Sequence, residues 1–189
     1  MIQKFILRMI VVSILLYPSL SWSQIYLGLG PEYVLPVGSF ANVNKSTIGV
    51  NLQLESRQIC KYWYGLRLDY MSFTKSNNIV IGENYYKNAF YLSPTFRYNF
   101  VCSDCYKYTT IPYLQGMLTM SSLGNTDSLS RLGVGGAIGG GIAISFNFLH
   151  ACWMLDLNAL YSAPNFIYRA DGRSSLQSIN VGLTLSIRL

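Results

Sequence analysis

Charge is scarce in this chain. Only 12% of its 189 residues are Asp, Glu, Lys or Arg, about half of the ~25% usual in a soluble domain. Such a surface is poor protection against water, although 51% of the residues are hydrophobic. Long apolar runs are also missing. Beyond the N-terminus no stretch reaches the ~18 residues that a membrane-spanning helix needs. Histidine is nearly absent, with His150 alone, and there is no G-x-S-x-G and no carboxylate pair beside a histidine, so the usual hydrolase constellations are excluded. A P-loop and a dinucleotide fingerprint are missing as well, since the glycines of 133–141 are not followed by a helix pattern. The expectation is a non-enzyme with no cofactor and no metal.

What the chain has in quantity is tyrosine and glycine, 15 and 16 residues. Tyrosine favours strands and membrane interfaces. The first residues, MIQKFILRMIVVSILLYPSLSWSQ, place Lys4 and Arg8 before an apolar segment from about Met9 to Tyr17. Pro18 ends that segment, and Ser21-Trp22-Ser23 offers small residues flanking a cut before Gln24. This is the layout of a cleavable signal peptide over 1–23, which leaves 24–189 as one domain exported from the cytoplasm.

The body alternates with a period of two. In Ile48–Leu54 the residues Ile48, Val50, Leu52 and Leu54 share one face, and Gly49, Asn51 and Gln53 share the other. The stretch GVGGAIGGGIAISFNF obeys the same rule. Ile138, Ile142, Ile144, Phe146 and Phe148 lie on one side, and Gly135, Ala137, Gly139, Gly141 and Ala143 on the other. Alternation of this kind marks strands, and a face of very small residues suits a strand curling around a narrow interior. Eight such segments are expected, at about 25–37, 46–57, 62–74, 84–100, 107–121, 131–148, 152–163 and 175–189. Longer polar connections (VGSFANVNK, TKSNNIVIGE, SLGNTDSLS, APNFIYRADGR) alternate with short turns around QICK, CSDC and HAC. Eight strands in this rhythm predict an all-β, antiparallel, up-and-down barrel with both termini at the short-turn end.

The non-oily face carries few charges, mixed in sign and set within the strands: Glu32, Glu55, Arg67, Asp69, Arg97, Asp156 and Arg188. A soluble exterior is poorly made from such a face. A barrel interior is well made from it if the charges pair, so these seven are the candidate lumenal network, with Tyr91, Tyr113, Gln115 and Met117 filling space around them. Aromatic residues near strand ends (Trp63, Tyr64, Tyr98, Phe100, Tyr106, Trp153, Tyr161, Phe166) are placed as an interfacial girdle. The oily face is therefore expected to meet lipid. The competing arrangement is a secreted lipocalin-like barrel with that face inward around a ligand.

On the signal peptide, the eight-strand rhythm, GVGGAIGGGIAISFNF and the closing INVGLTLSIRL, the mature chain resembles the small OmpA/OmpX-like outer-membrane β-barrels of Gram-negative bacteria, a porin-like group. The resemblance implies insertion into the outer membrane by the barrel-assembly machinery, outer-membrane lipid as surroundings, and either a plugged interior or a narrow channel. It departs at Leu189, where that family usually ends in an aromatic residue.

All four cysteines fall in short turns: Cys60 in the first, Cys102 and Cys105 in the second, Cys152 in the third. In an oxidising periplasm disulfides are allowed, and four cysteines permit three connectivities. Joining neighbouring turns, Cys60–Cys102 with Cys105–Cys152, competes with a bond inside Cys102-Ser-Asp-Cys105. A redox CxxC and a zinc site of the four cysteines with His150 are further readings, but the sequence lacks the paired CxxC spacing of a zinc site. The long connections carry Lys45, Lys75, Lys87, Arg131, Arg169 and Arg173 against Glu83, Asp127 and Asp171. That modest excess suits a solvated rim or lipid phosphates, and APNFIYRADGR could contact an envelope protein or glycan. Nucleic acid is excluded as a partner by the dispersal of the basic residues and by the compartment.

Overall fold

The computed structural model describes residues 24–74, 86–102, 107–125, 128–169 and 176–189. The expected signal peptide lies outside them. Eight strands form one closed antiparallel barrel in sequence order: β1 (Ile25–Val37), β2 (Thr47–Ile59), β3 (Tyr62–Ser72), β4 (Asn88–Asn99), β5 (Thr109–Asn125), β6 (Ser128–Phe148), β7 (Ala151–Arg169) and β8 (Gln177–Arg188). The ladder between β1 and β8, from Tyr26↔Arg188 to Val37↔Gln177, closes the sheet.

Alternation in the sequence becomes inside and outside. Along β1, every second residue from Tyr26 to Pro36 is buried, and Leu27, Leu29, Tyr33 and Leu35 are exposed. The same holds on β2, where Val50, Leu52 and Leu54 point out and Asn51, Gln53 and Glu55 point in. On β6, Ile138, Ile142 and Ile144 are exposed, while Gly135, Ala143 and Ser145 are buried. The oily face is the outside of the barrel and the polar face is the inside, so the lipocalin-like arrangement is overturned.

Three elements differ from the sequence reading. The connection after β1 contains a short helix, α1 (Ser39–Val43), whose Phe40 and Val43 are buried. The segment SLGNTDSLS was expected as a loop, but β5 runs on to Asn125 and pairs with β6 from Ser128. The pairing shifts register between Leu123 and Gly124 and ends at Asn125↔Ser128. β7 also continues beyond Ala163, through Pro164 and Asn165, to Arg169. It does so by an irregularity: Ala163 pairs with Gly136 and Tyr168 with Val134, so four residues of β7 face Gly135 alone. A Cβ on Gly135 would meet the Ala163 carbonyl oxygen, so glycine makes room for the crossing chain. Ser121 Oγ donates to the Pro164 carbonyl at 3.1 Å, and the Leu176 amide donates to Asn165 Oδ1 at 2.8 Å. These bonds pin the bulge.

Phe148↔Ala151 leaves Leu149 and His150 as a two-residue turn, with φ of 53° and 61°. Both residues sit in the left-handed region that Asn and Gly tolerate best. The double substitution Leu149→Asn, His150→Gly is expected to stabilise the barrel by roughly 1 kcal/mol. Denaturant unfolding in detergent micelles measures this, and an unchanged or lowered midpoint would contradict it.

Candidate functional site

The interior of the barrel is organised around two arginines. Arg67 on β3 donates from Nη2 to Glu32 Oε1 of β1 at 2.8 Å and from Nε to Asp69 Oδ1 at 2.6 Å. Arg97 on β4 donates from Nη1 to Asp156 Oδ2 of β7 at 2.6 Å and to Glu55 Oε2 of β2 at 3.3 Å. Its Nε donates to Asn99 Oδ1 at 2.9 Å. All six charged residues are nearly inaccessible to solvent. Each arginine therefore holds two carboxylates, and each group joins residues from non-adjacent strands across the lumen.

The surroundings of Arg97 explain how its charge is kept there. Its guanidinium lies over the Tyr113 ring at 3.6 Å from the centroid, and the Trp63 ring is at 5.1 Å. Flat aromatic faces attract a cation without adding a third carboxylate's repulsion. The Tyr113 hydroxyl donates to Asp156 Oδ1, and Asn158 Nδ2 donates to the same oxygen at 3.4 Å. Tyr113 reaches this place by lying against Gly141, its ladder partner on β6; a Cβ at 141 would come within 2.7 Å of the Tyr113 hydroxyl oxygen. Part of the glycine-rich run thus has a specific use: it leaves space for the ring beneath the arginine.

Beyond the two groups, polar side chains bridge the strands. Thr184 Oγ1 donates to Asn51 Oδ1 at 2.9 Å, Asn51 Nδ2 donates to the Gly30 carbonyl at 3.1 Å, and Ser93 Oγ donates to Thr119 Oγ1 at 3.1 Å. A cavity of about 10 Å³ borders Glu32, Arg67 and Asn180, near the lower limit for one water. Glu32 Oε2, Arg67 Nη1 and Asn180 Oδ1 make no hydrogen bond to protein, so the lining supplies both a donor and acceptors for a water.

Apolar clusters lie on either side of the charges. Toward the longer connections, Val34, Phe40, Val43, Met71, Phe73, Tyr86 and Leu176 pack together. Phe40 of α1 meets Phe73 edge-on at 5.2 Å, and Asn44 Nδ2 donates to the Tyr86 carbonyl at 2.6 Å to hold the helix down. Toward the short turns, Tyr26 stacks on Trp63 at 4.9 Å beside Ile111, Cys152 and Met154.

Of the seven candidate network residues, six meet in these two groups and Arg188 does not. Although it shares the parity of Thr184 and Ser186, Arg188 ends β8 at the rim and is exposed. A second correction concerns Trp63, expected in the outer girdle. It is buried, because it shares the parity of Arg67 and Asp69. Tyr106 lies outside the described residues. Tyr91, Tyr113 and Gln115 are buried in the interior, and Met117 borders the cavity. The sequence reading missed Tyr26, Asn99, Asn158 and the α1 cap. Parity alone could have found Phe73, two residues beyond Met71, but nothing local announces that Phe40 folds back over the opening.

Cys60 and Cys102 form a disulfide with Cα atoms 5.2 Å apart, tying the β2–β3 turn to the end of β4. This excludes the bond within Cys102-Ser-Asp-Cys105. Cys152 is also disulfide-bonded, and Cys105 lies outside the described residues. Cysteines so engaged cannot ligate zinc, so that reading is withdrawn. His150 is an exposed turn residue.

Removing one arginine strands two carboxylates in the lumen. Arg97→Met should destabilise the barrel by about 3–5 kcal/mol, and Arg67→Met should act in the same direction. Arg188→Met should change stability by less than about 0.5 kcal/mol. Urea titration followed by the mobility of unboiled protein on gels compares the three variants. Equal midpoints for all three would remove the paired charges from the account.

No protein-family model matches the sequence, and no curated relative matches it. Among solved structures, the chain is similar to Neisserial surface protein A, with a TM-score of 0.50 and 13% identity over 87% of this chain and 96% of that one. It is also similar to Ail, the attachment invasion locus protein of Yersinia pestis, solved with the heparin analogue sucrose octasulfate, with a TM-score of 0.44 and 14% identity over 88% and 97% of the chains. At 13% identity the likeness to Neisserial surface protein A is one of fold: both chains are built as the same small closed barrel, along nearly the whole of each.

Proposed function

We propose that this protein is an integral outer-membrane barrel with a structural or interaction role in the bacterial envelope, its lumen plugged by its own side chains. The observation that carries this reading is the inverted distribution of polarity: a closed barrel with leucine, isoleucine, valine and aromatic side chains outside and all six paired charges inside. In water such an exterior would aggregate. In a bilayer it is the required arrangement, because closure satisfies the backbone and the apolar belt meets the hydrocarbon. Strands of 11 to 21 residues are long enough, since about 9–11 tilted residues cross a membrane. The shared fold with a protein named for the neisserial surface agrees with an envelope location.

Plugging is supported by the order of layers along the axis. The α1 cap and its apolar cluster, the Arg67 group, the Arg97 group and the Tyr26–Trp63 stack follow one another, and the cavity bordering Arg67 has room for about one water. On this reading the short turns face the periplasm, the longer connections face outward as the surface for an envelope partner, and the barrel-assembly machinery performs insertion.

Two measurements test the proposal. Urea-washed outer membranes should retain the protein, and it should run faster unboiled than boiled; recovery in the soluble periplasmic fraction would sink the membrane reading. In planar bilayers the purified barrel should give no discrete conductance steps. Steps whose ion preference changes in Arg67→Ala or Arg97→Ala would replace the plug by a narrow channel.

A further inference from the structure

Resting on the membrane reading, we infer that the rim at the short-turn end is a binding surface for anionic phospholipid headgroups in the leaflet it touches. The order of side chains toward the short-turn end carries the inference, with the cations standing at the rim beyond the outward apolar rows. On β2 the exposed aliphatic row Ile48, Val50, Leu52 and Leu54 is followed by Arg57, Ile59 and, in the turn, Lys61. Entering β5 from that end, exposed Lys107 and Tyr108 precede the outward Leu114 and Leu118. On β8 the outward Ile179, Val181, Leu183 and Leu185 lead to exposed Arg188. Three separate parts of the circumference thus end in cations.

Between the aliphatic rows and the cations lies an aromatic tier. Tyr62 contacts Phe96 and Tyr98 at 6.2 and 5.3 Å between centroids, Tyr64 contacts Phe96 at 5.3 Å, and Tyr98 contacts Phe100 at 5.4 Å. Farther round, Tyr108 stacks on Phe146 at 6.2 Å. Aromatic rings of this kind settle at headgroup depth, which puts Lys61, Lys107 and Arg188 at or just beyond the phosphates. Among the described residues of this rim no Asp or Glu side chain opposes them; Glu55 and Asp156 are turned inward and engaged with Arg97. Asp104 lies outside the described residues. Arg57 is partly engaged with Gln24 at 2.9 Å, so Lys61, Lys107 and Arg188 are the principal binding cations. The Cys60–Cys102 bond sits beside Lys61 and fixes its turn to the end of β4, which reduces the ordering cost of holding a headgroup there.

The occupant follows from charge and depth together. Cations immediately beyond an aromatic tier attract lipid phosphates that carry net negative charge, and they discriminate against zwitterionic headgroups, whose own cation opposes them. A soluble acidic protein would not require the aromatic tier.

The test uses the complete barrel in two kinds of vesicle, phosphatidylcholine alone and phosphatidylcholine with about one third phosphatidylglycerol, a content that gives a strongly negative surface. Heat-modifiable mobility in both vesicles establishes insertion. Lipid that co-purifies after gentle extraction is then counted by native mass spectrometry. The ratio of phosphatidylglycerol to phosphatidylcholine among the bound lipids should exceed the bulk ratio at least about fivefold, and the enrichment should collapse in about 0.5 M salt. Lys61→Glu/Lys107→Glu/Arg188→Glu should abolish it, and Lys45→Glu/Lys87→Glu, at the opposite rim, should leave it intact. The neutral variant Lys61→Gln/Lys107→Gln/Arg188→Gln serves if the reversed one fails to insert. Insertion into both vesicles without enrichment, or enrichment that survives the neutral variant, overturns the headgroup site and leaves the barrel reading standing. Failure of the native protein to insert into either vesicle overturns both.

Discussion

Closure of the sheet between β1 and β8 is the constraint from which the rest of this structure follows. An open eight-stranded sheet could relieve crowding by flattening and would expose two hydrogen-bonding edges. A closed one has an interior of fixed width that side chains must fill. The period of two then assigns every residue of every strand to one of two environments. The exterior can be uniformly apolar, because its side chains diverge and do not compete for space. The interior cannot, because eight walls converge on one narrow space. Glycine at 141 and Tyr113 opposite it, or Gly135 and the crossing β7 chain, are local solutions to that crowding.

Within that space charge is arranged at two heights, and the choice of arginine matters. A lysine offers a compact point charge with no planar fork to fix where its partners lie. The guanidinium of Arg97 reaches two carboxylates on β2 and β7 and the amide of Asn99 while lying flat on an aromatic ring. It therefore braces the lumen across the barrel, in a direction no backbone ladder can supply. Buried ion pairs contribute little net free energy when compared with well-packed apolar groups. Their value here is positional: an inward glutamate at 55 and aspartate at 156 are stable only if Arg97 stands between them, so the pairing penalises any register that separates them.

The wall of the barrel was legible in the sequence because each strand carries its own period, read without reference to any neighbour. β1 is recovered with both its boundaries. The contents of the lumen were only half legible. Parity says that Glu32, Arg67 and Asp69 point inward, but which carboxylate meets which arginine depends on strand stagger, which no single segment encodes. Arg188 shows the limit of parity from the other side: it has the inward phase but stands at the rim, where inward no longer means buried. Trp63 stands near a strand end, where girdle aromatics are expected, but its phase, shared with Arg67 and Asp69, turns it inward. The extension of β7 through Pro164 was hidden for a different reason. Proline normally ends a strand, and its tolerance here depends on Gly135, some thirty residues earlier in the chain and adjacent only after folding.

The two ends of the barrel are built to different rules. At the short-turn end, two-residue turns join β2 to β3 and β6 to β7, a disulfide links Cys60 to Cys102, Cys152 is bonded as well, and the Tyr26–Trp63 stack fills the interior. Covalent and aromatic restraints there hold the ends of several strands together. At the other end the seal is made by α1 and by side chains from β1, β3 and the segments flanking β4 and β8. Among the described residues of that end, Phe40 and Asn44 anchor the seal. A closed, cross-braced wall with one heavily restrained end is a rigid support, and a rigid support lets loop sequences change without disturbing the fold. Stability thus resides in the wall and the lumen, and this accounts for charged residues that are buried and paired.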